Sequence, residues 1–435
     1  MRKESVAEGG VWTWVRAGAP GVARAGARAL GWCLLVGAMM SLGLFLAARA
    51  LVRPAPGEWA TRVPIGPAQI EVGVTPLIQW ATTPWIARQL HGHSMPSRLG
   101  VVHLTWDEPS QQLPLQCQPC MLRSTSWGGE PLQLAEVQLS VQRQGTQLQG
   151  TLRSGAVQAS WRGQLRAGAL TLHINLPETP VREAFALFAN ALPEVGRAQI
   201  EGTLALDATL ELPRQRLTVQ PRLTGLAVSG LGTEAWAHAR SQCARSLPTP
   251  PLGADSWLAR AVIAAEDQRF YEHMGYDLVE MVQALQSNQE PDAPLRGAST
   301  LTQQVAKLLV TGGERSPLRK LRELLYAVEM EQTLGKARIL NLYLEHAPWG
   351  ATLCGAHAAA HAYFGQRADR LTPAQAVWLA AMLHNPALEA RQWRTSGQIN
   401  QVREQWVARQ VHALRKSQRL QLQNALAKAA WPGQR

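Results

Sequence analysis

Apolar residues follow three different patterns along the chain. Residues 29–48 form an uncharged run of 20 residues, and between residues 132 and 212 apolar and polar positions alternate. From residue 258 almost to the end, apolar residues recur at helical spacing. These periods predict a helix long enough to cross a membrane, then an antiparallel sheet with one solvated face, then a helical region. The predicted fold class is therefore α+β and multidomain.

The uncharged run is flanked by Arg28 and Arg49, and other cations precede it at positions 2, 3, 16 and 24. The positive-inside rule places such a leader in the cytoplasm. We therefore predict a basic leader at 1–28, a transmembrane signal-anchor at 29–52 and a proline-rich linker at 53–67. The small-x-small sequence at residues 48–50 keeps cleavage by a signal peptidase open as an alternative.

Residues 68–240 are predicted to form a β-rich exported domain. Strands are expected at 69–74 and 98–106 and along the alternating runs, with a helix at 77–90 and an amphipathic segment at 181–192. The alternation does not distinguish a lipid-holding groove from a plain sandwich, a spacer or a surface for a protein partner. His91 and His93 lack a nearby third ligand and are interpreted as surface residues.

The periodicity of the last third predicts a series of amphipathic helices. They are expected at 258–265, 277–287, 301–310, 318–333, 336–344 and 373–383. Residues 396–435 are rich in Gln, Arg and Ala, and this composition predicts one or two exposed basic helices.

Charge and cysteine content narrow the choice of partners and compartment. The formal charge of +12 favours a polyanion, an anionic membrane or a phosphorylated substrate, although only six of the 43 cations are lysine and coding bias explains part of this excess. In an oxidising compartment the C-x-x-C pair Cys117 and Cys120 favours a structural disulfide over a redox pair or half a zinc site. Cys243 and Cys354 are then left as a second pair, with a buried free thiol at Cys354 as the alternative.

Three short blocks contain the residues suited to chemistry. Residues 266–275 (E-D-Q-R-F-Y-E-H-M-G) place two carboxylates where an apolar helix ends. Residues 297–304 (G-A-S-T-L-T-Q-Q), with Lys307 one helical turn beyond Gln303, supply donors for phosphate or sugar oxygens. Residues 319–323 (R-K-L-R-E) begin a helix with three cations and a carboxylate.

Together with Y-L-E at 343–345 and A-A-H-A-Y-F-G at 359–365, these blocks resemble the peptidoglycan glycosyltransferase family. This family comprises the transglycosylase domain of penicillin-binding proteins and the monofunctional biosynthetic transglycosylases. The resemblance spans about residues 244–395. It implies a mostly α, lysozyme-like catalytic domain that polymerises lipid II into β-1,4 glycan strands by inverting displacement of undecaprenyl pyrophosphate.

The resemblance also implies roles for individual residues. Glu266 is expected to be the general base, because burial at an apolar helix end raises the pKa of a carboxyl. Glu323 is expected to position the pyrophosphate, directly or through a divalent cation, Mg²⁺ or Mn²⁺. The expected substrate and pyrophosphate ligands are Lys307, Arg319, Lys320, Ser299, Thr300, Gln303, Gln304 and His273. The hydroxyl and amide residues among them are also candidates for helix capping alone.

The chain departs from the family pattern at Glu345, where an Asn is usual, and at Leu308, where an Asn is common. Glu345 puts acceptor binding in question. Penicillin-reactive domains need a nucleophilic serine in an S-x-x-K sequence and a K-T-G segment, and the chain contains neither. The residues after the blocks are also too few for such a domain, so no transpeptidase activity is expected.

The expected protein is anchored in the bacterial inner membrane by a single span, with its N-terminus in the cytoplasm and its catalytic domain in the periplasm. Its expected partners are lipid II, the nascent glycan strand, the membrane and envelope proteins bound through the β-rich domain, with no nucleic acid. A glycan-cleaving enzyme of lysozyme-like fold and a non-catalytic envelope scaffold remain as alternatives.

Overall fold

A computed structural model describes most of the chain beyond residue 60. The described residues are 60–65, 68–97, 99–122, 132–166, 169–239, 241, 243, 250–290, 296–314, 318–350, 352–429 and 431, with isolated positions between 39 and 58. The chain divides into two compact units, Met1–Leu77 and Ile78–Arg435. Most of the predicted span at 29–48 lies outside the described residues. Within the described part of the chain, no helix combines the length and apolar character needed to cross a membrane.

Thirteen strands occur in the described residues. They are β1 (Ala60–Ile65), β2 (Ala68–Gly73), β3 (Ser94–Ser97), β4 (Gly100–Leu104), β5 (Gln112–Cys117), β6 (Cys120–Leu122), β7 (Leu132–Leu134), β8 (Val137–Gln144), β9 (Gln147–Ser154), β10 (Val157–Arg166), β11 (Ala169–Pro180), β12 (Gln199–Leu212) and β13 (Arg216–Ser229). In the first unit, β1 and β2 form an antiparallel hairpin. The predicted linker at 53–67 therefore contains a strand.

Fourteen α-helices are found in the same residues. They are α1 (Val74–Ala81), α2 (Pro84–Leu90), α3 (Val181–Ala186), α4 (Pro193–Arg197), α5 (Trp257–Glu266), α6 (Leu278–Ser287), α7 (Leu301–Ala306), α8 (Arg319–Thr333), α9 (Gly335–His346), α10 (Ala356–Phe364), α11 (Pro373–Ala381), α12 (Pro386–Ser396), α13 (Gln401–Gln410) and α14 (Lys416–Lys428). The predicted helix at 77–90 is two helices, because Pro84 disfavours helical geometry at Thr83. The predicted α+β class, with a β-rich middle and a helical C-terminal region, is confirmed.

The alternating runs form one nine-stranded antiparallel sheet with the order β13-β12-β11-β10-β9-β8-β5-β4-β3. One face of this sheet is apolar, and its Leu148, Leu165 and Leu170 are almost fully buried. Residues between them in the alternation point to the opposite, polar face. The prediction of a one-sided antiparallel sheet is confirmed, as a single sheet of nine strands.

The sheet and the C-terminal helices share one core. Leu192, Ile200 and Val228 from the sheet region belong to the same buried cluster as the apolar side of α5. Two polar contacts cross at the same place: Arg322 of α8 pairs with the buried Glu194 at 2.7 Å, and the backbone N–H of Leu231 donates to Glu329 at 2.9 Å. The sheet is therefore packed directly against the helix that begins with the third sequence block.

The C-terminal helices are part of this core. Val407 and Ala408 of α13 are fully buried, and Leu422 and Leu426 of α14 are nearly so. Residues 396–435 contain two helices, as predicted, but the expectation that these helices are exposed was wrong, because each buries apolar residues one turn apart or adjacent in sequence.

Two disulfides are present. Cys117 is bonded to Cys120, and Cys243 to Cys354. The second bond ties the segment that enters the helical region to the loop after α9. Beside it, the Ser241 hydroxyl donates to the carbonyl oxygen of Glu345 at 3.0 Å.

Candidate active site

Glu266 is the last residue of α5, a helix that begins at the Ser256 cap and is buried along most of its length. Its side chain is 13% exposed. One carboxylate oxygen accepts a hydrogen bond from the Gln304 amide at 3.1 Å, and the other is buried without a hydrogen bond from any described residue. Burial raises the pKa of Glu266, while the Gln304 hydrogen bond and the charge of Arg403 act in the opposite direction. The carboxylate is therefore poised to accept a proton.

Asp267 organises the next part of the first block. It accepts the backbone N–H of Leu301 at 2.8 Å and lies 3.0 Å from Nε2 of His273. The backbone N–H of Gly275 donates to Nδ1 of His273 at 3.2 Å, so the histidine donates from Nε2 to Asp267. Both ring nitrogens are engaged inside the protein, and the ring is buried. His273 thus positions the first two blocks, whereas the sequence predicted a pyrophosphate ligand.

Thr300 and Gln303 form a capping box at the start of α7. The Thr300 hydroxyl also donates to the carbonyl oxygen of Gly275 at 2.7 Å, which ties this cap to the first block. Both side chains are buried and occupied, so the structure gives them the capping role that the sequence left open. Ser299 and Gln304 point elsewhere: Ser299 accepts from Lys320 at 2.7 Å, and Gln304 donates to Glu266.

Glu323 lies one turn inside α8 and has no exposed surface. One oxygen is 2.6 Å from the Lys320 ammonium, and the other is 3.2 Å from Nε of Arg319 and 3.3 Å from the Thr311 hydroxyl. Lys320 also donates to Ser299, and Gln304 donates to Glu266. The second block therefore contacts both Glu266 and the cation bound to Glu323. Glu323 thus pairs with both cations, Arg319 and Lys320.

Lys307 follows α7 at the start of a π-helical turn, Lys307–Thr311. Such turns are common at functional sites. Its side chain is exposed and forms no hydrogen bond or ion pair with the residues that the structure describes. A free ammonium of this kind is available to an anionic ligand.

The donor set around Glu323 does not fit a resident metal ion. Both of its oxygens face cationic side chains, so a divalent cation would have to displace Lys320 or Arg319. No group of three His, Cys, Asp or Glu residues suited to a metal is found among the described residues. The suggested metal ligand Glu323 is thus better described as the partner of two cations.

The sequence did not indicate Arg403 near Glu266, and it marked Tyr343 only as part of the block at 343–345. Nη2 of Arg403 in α13 lies 3.6 Å from Glu266 and donates to the carbonyl oxygen of Ala265 at 2.6 Å, while the guanidinium stacks on Trp406. Tyr343 is buried, and burial followed by the negative charge of Glu266 raises its pKa. The sequence signal for a buried side of α13 is the apolar pair Val407 and Ala408. The many Gln and Arg residues of this segment made it look like an exposed helix.

Glu345 is neutralised locally. It lies 3.1 Å from Nη1 of Arg338, whose other nitrogens donate to the carbonyl oxygens of Trp236 and Ala239. Glu345, where the family usually has Asn, therefore orients Arg338, which holds the connection that follows β13. Its charge is paired within the protein.

The part of the chain that contains these residues is similar to known proteins. Residues 244–412 match the family model described as transglycosylase. The chain is 47% identical over 132 residues to a biosynthetic peptidoglycan transglycosylase of Alcanivorax borkumensis, covering 30% of this chain and 54% of that protein. The protein of the same name from Klebsiella oxytoca is 44% identical over 158 residues, covering 36% and 64%. That of Thiobacillus denitrificans is 40% identical over 166 residues, covering 38% and 71%. The chain thus spans between about half and 71% of these relatives.

Proposed function

The chain belongs to the transglycosylase family, and on that premise we propose that it polymerises lipid II into β-1,4 glycan strands. The observation that supports this most directly is the environment of Glu266. A buried carboxylate with a raised pKa and one oxygen that accepts no hydrogen bond from the described residues is what a general base for a sugar hydroxyl requires.

In the proposed reaction, Glu266 takes the proton of the acceptor 4-hydroxyl as that oxygen attacks the anomeric carbon of the donor. The bond from this carbon to the pyrophosphate oxygen breaks, and its electron pair leaves with undecaprenyl pyrophosphate. One displacement inverts the anomeric centre. Gln304 fixes the orientation of the base through its hydrogen bond.

The leaving group gains charge during this step, and the cations of the second and third blocks oppose that charge. Lys307 is free to contact it, and Glu323 holds Arg319 and Lys320 close together. The proposal assigns no step to a divalent cation, because the Glu323 oxygens are already occupied by these side chains.

Incubation of the purified protein with labelled lipid II, followed by gel separation of the products, tests the proposal. We expect a ladder of glycan strands and release of undecaprenyl pyrophosphate. Cleavage of preformed glycan without extension of lipid II would instead establish a hydrolase. Absence of both activities would favour the scaffold alternative.

We also propose that the uncharged run at 29–48 anchors the protein in the inner membrane, with the catalytic region on the periplasmic side. The supporting observations are the length of the run and its basic leader. A tag at the C-terminus is then digested by protease added to spheroplasts. Protection of that tag would contradict this topology.

A further inference from the structure

A second candidate site lies on the sheet, outside the catalytic residues. Strands β10 to β13 form the floor of a cavity of about 520 Å³ on the polar face. This volume lies within the usual range of ligand sites, roughly 300–1,000 Å³. A solvated sheet face is expected to be polar in any case, so polarity alone does not indicate a ligand site, whereas the arrangement of these side chains does.

Two rows of polar side chains cross the four strands. In the first row, Arg162 lies opposite His173, His173 opposite Thr209, and Thr209 opposite Thr218. In the second row, the pairing is equally regular and joins Ser160, Asn175, Asp207 and Gln220. Neighbouring strands are about 4.8 Å apart, so successive side chains in a row are separated by about this distance. This spacing is close to the length of one pyranose ring.

Some of these groups already have partners, and others do not. Asp207 accepts from Asn175 at 2.7 Å and from Arg222 at 3.0 Å, which balances its charge and fixes the middle of the cavity. In contrast, the side chains of Arg162 and Gln220 are exposed and make no hydrogen bond with the described residues. The cavity therefore offers neutral donors and acceptors along its length and one free guanidinium at the β10 end.

This chemistry selects among possible ligands. Trp161, Ile174 and Ala208 also line the cavity, but an acyl chain would leave the side chains of Arg162 and Gln220 without partners. A polyphosphate requires more than one free cation. A glycan offers hydroxyl and amide groups along its length, and a peptide carboxylate is a suitable partner for a guanidinium. The set of side chains fits a peptide-bearing glycan better than a lipid.

The cavity is also adjacent to the catalytic region. Gln289, just beyond α6, pairs with both backbone groups of Leu217, accepting its N–H at 2.5 Å and donating to its carbonyl oxygen at 2.8 Å. Thr218, the next residue of β13, lines the cavity. The sheet edge that borders the cavity is thus held by the helical region that contains the proposed active site.

We propose that this cavity binds a peptidoglycan strand, with a stem-peptide carboxylate at Arg162 and the sugar groups along the row that ends at Gln220. The choice of ligand rests on the proposed function, since a lipid II polymerase releases such strands beside the sheet. The cavity would then be a product-binding surface on the β-rich region.

Binding to the full-length protein in detergent tests this inference. The probes are uncross-linked glycan strands with stem peptides and the same strands with the peptide carboxylates converted to amides. We expect Arg162→Gln to weaken binding of the strands with free carboxylates about tenfold, since a charge-assisted hydrogen bond is lost, and to leave the amidated strands unaffected. Gln220→Ala should weaken binding of both probes about threefold.

Arg166→Gln is the matched control, because Arg166 is exposed on the same strand and does not line the cavity. Binding in the catalytic cleft contributes equally to all these variants, so differences among them report on the cavity. Equal affinities of the Arg162 variant, the Gln220 variant and the control would overturn the inference. So would failure of the wild type to bind either probe, or binding of anionic lipid vesicles in place of strands. If strands bind as expected but lipid II is not polymerised, the proposed function fails and the cavity assignment stands.

Discussion

The contact between Glu194 and Arg322 provides a quantitative test of how the sheet supports the active site. One oxygen of Glu194 accepts from Nε and Nη2 of Arg322 at 2.9 and 2.7 Å. The carboxylate is 3% exposed and the guanidinium 21%. Removing one partner of a fully buried pair costs about 3–5 kcal/mol. Because Arg322 is partly solvated and keeps its contact with Glu314, we expect Glu194→Ala to cost roughly 2–3 kcal/mol.

Glu290→Ala is the control, since Glu290 pairs with Arg216 across the same two regions but both side chains are 60% exposed. Such a pair contributes about 0–1 kcal/mol. The assay is urea unfolding of the full-length protein followed by tryptophan fluorescence. Because Arg322 lies between Lys320 and Glu323 on α8, Glu194→Ala should also raise KM for lipid II. Equal shifts in the unfolding midpoint for the two variants would show that the buried pair contributes no more to stability than the exposed pair.

Two further predictions concern α13. Arg403→Gln removes a cation that lowers the pKa of Glu266, so the acidic limb of the pH profile of kcat should move to higher pH. The control Arg409→Gln changes an exposed residue of the same helix and should leave the profile unchanged. Identical profiles for the two variants would contradict the role of Arg403. Burial raises the pKa of Glu404 from 4.5 to about 7, so the folded state retains the proton through this window and its free energy of unfolding falls as pH rises, by roughly 3 kcal/mol in total. Glu404→Gln should abolish that loss, and melting curves at pH 5 and pH 8 that change equally in both proteins would argue against it.

The sequence was most informative where chemistry and local structure coincide. An apolar run ending in Glu266 was sufficient to predict a buried carboxyl with a raised pKa, since both properties follow from that one helix end. It could not predict Arg403, because the approach of α13 to α5 depends on packing between segments far apart in the chain. Likewise, the alternating runs identified the two faces of the sheet but not its strand order or its contact with α8. The sequence also could not show that Thr300 caps α7 while its neighbour Ser299 binds Lys320, because that assignment depends on where α8 lies.

In the proposed mechanism, Glu266 accepts the proton during lipid II polymerisation. The most direct test of this step is the turnover of Glu266→Gln with labelled lipid II. Glutamine keeps the shape of the side chain but cannot accept the proton, so turnover should fall by at least ~10²-fold while binding of lipid II is retained. Glu323→Gln, in contrast, should lower turnover and affinity together, because it releases Arg319 and Lys320. Polymerisation by Glu266→Gln at the wild-type rate would contradict the assignment of the base.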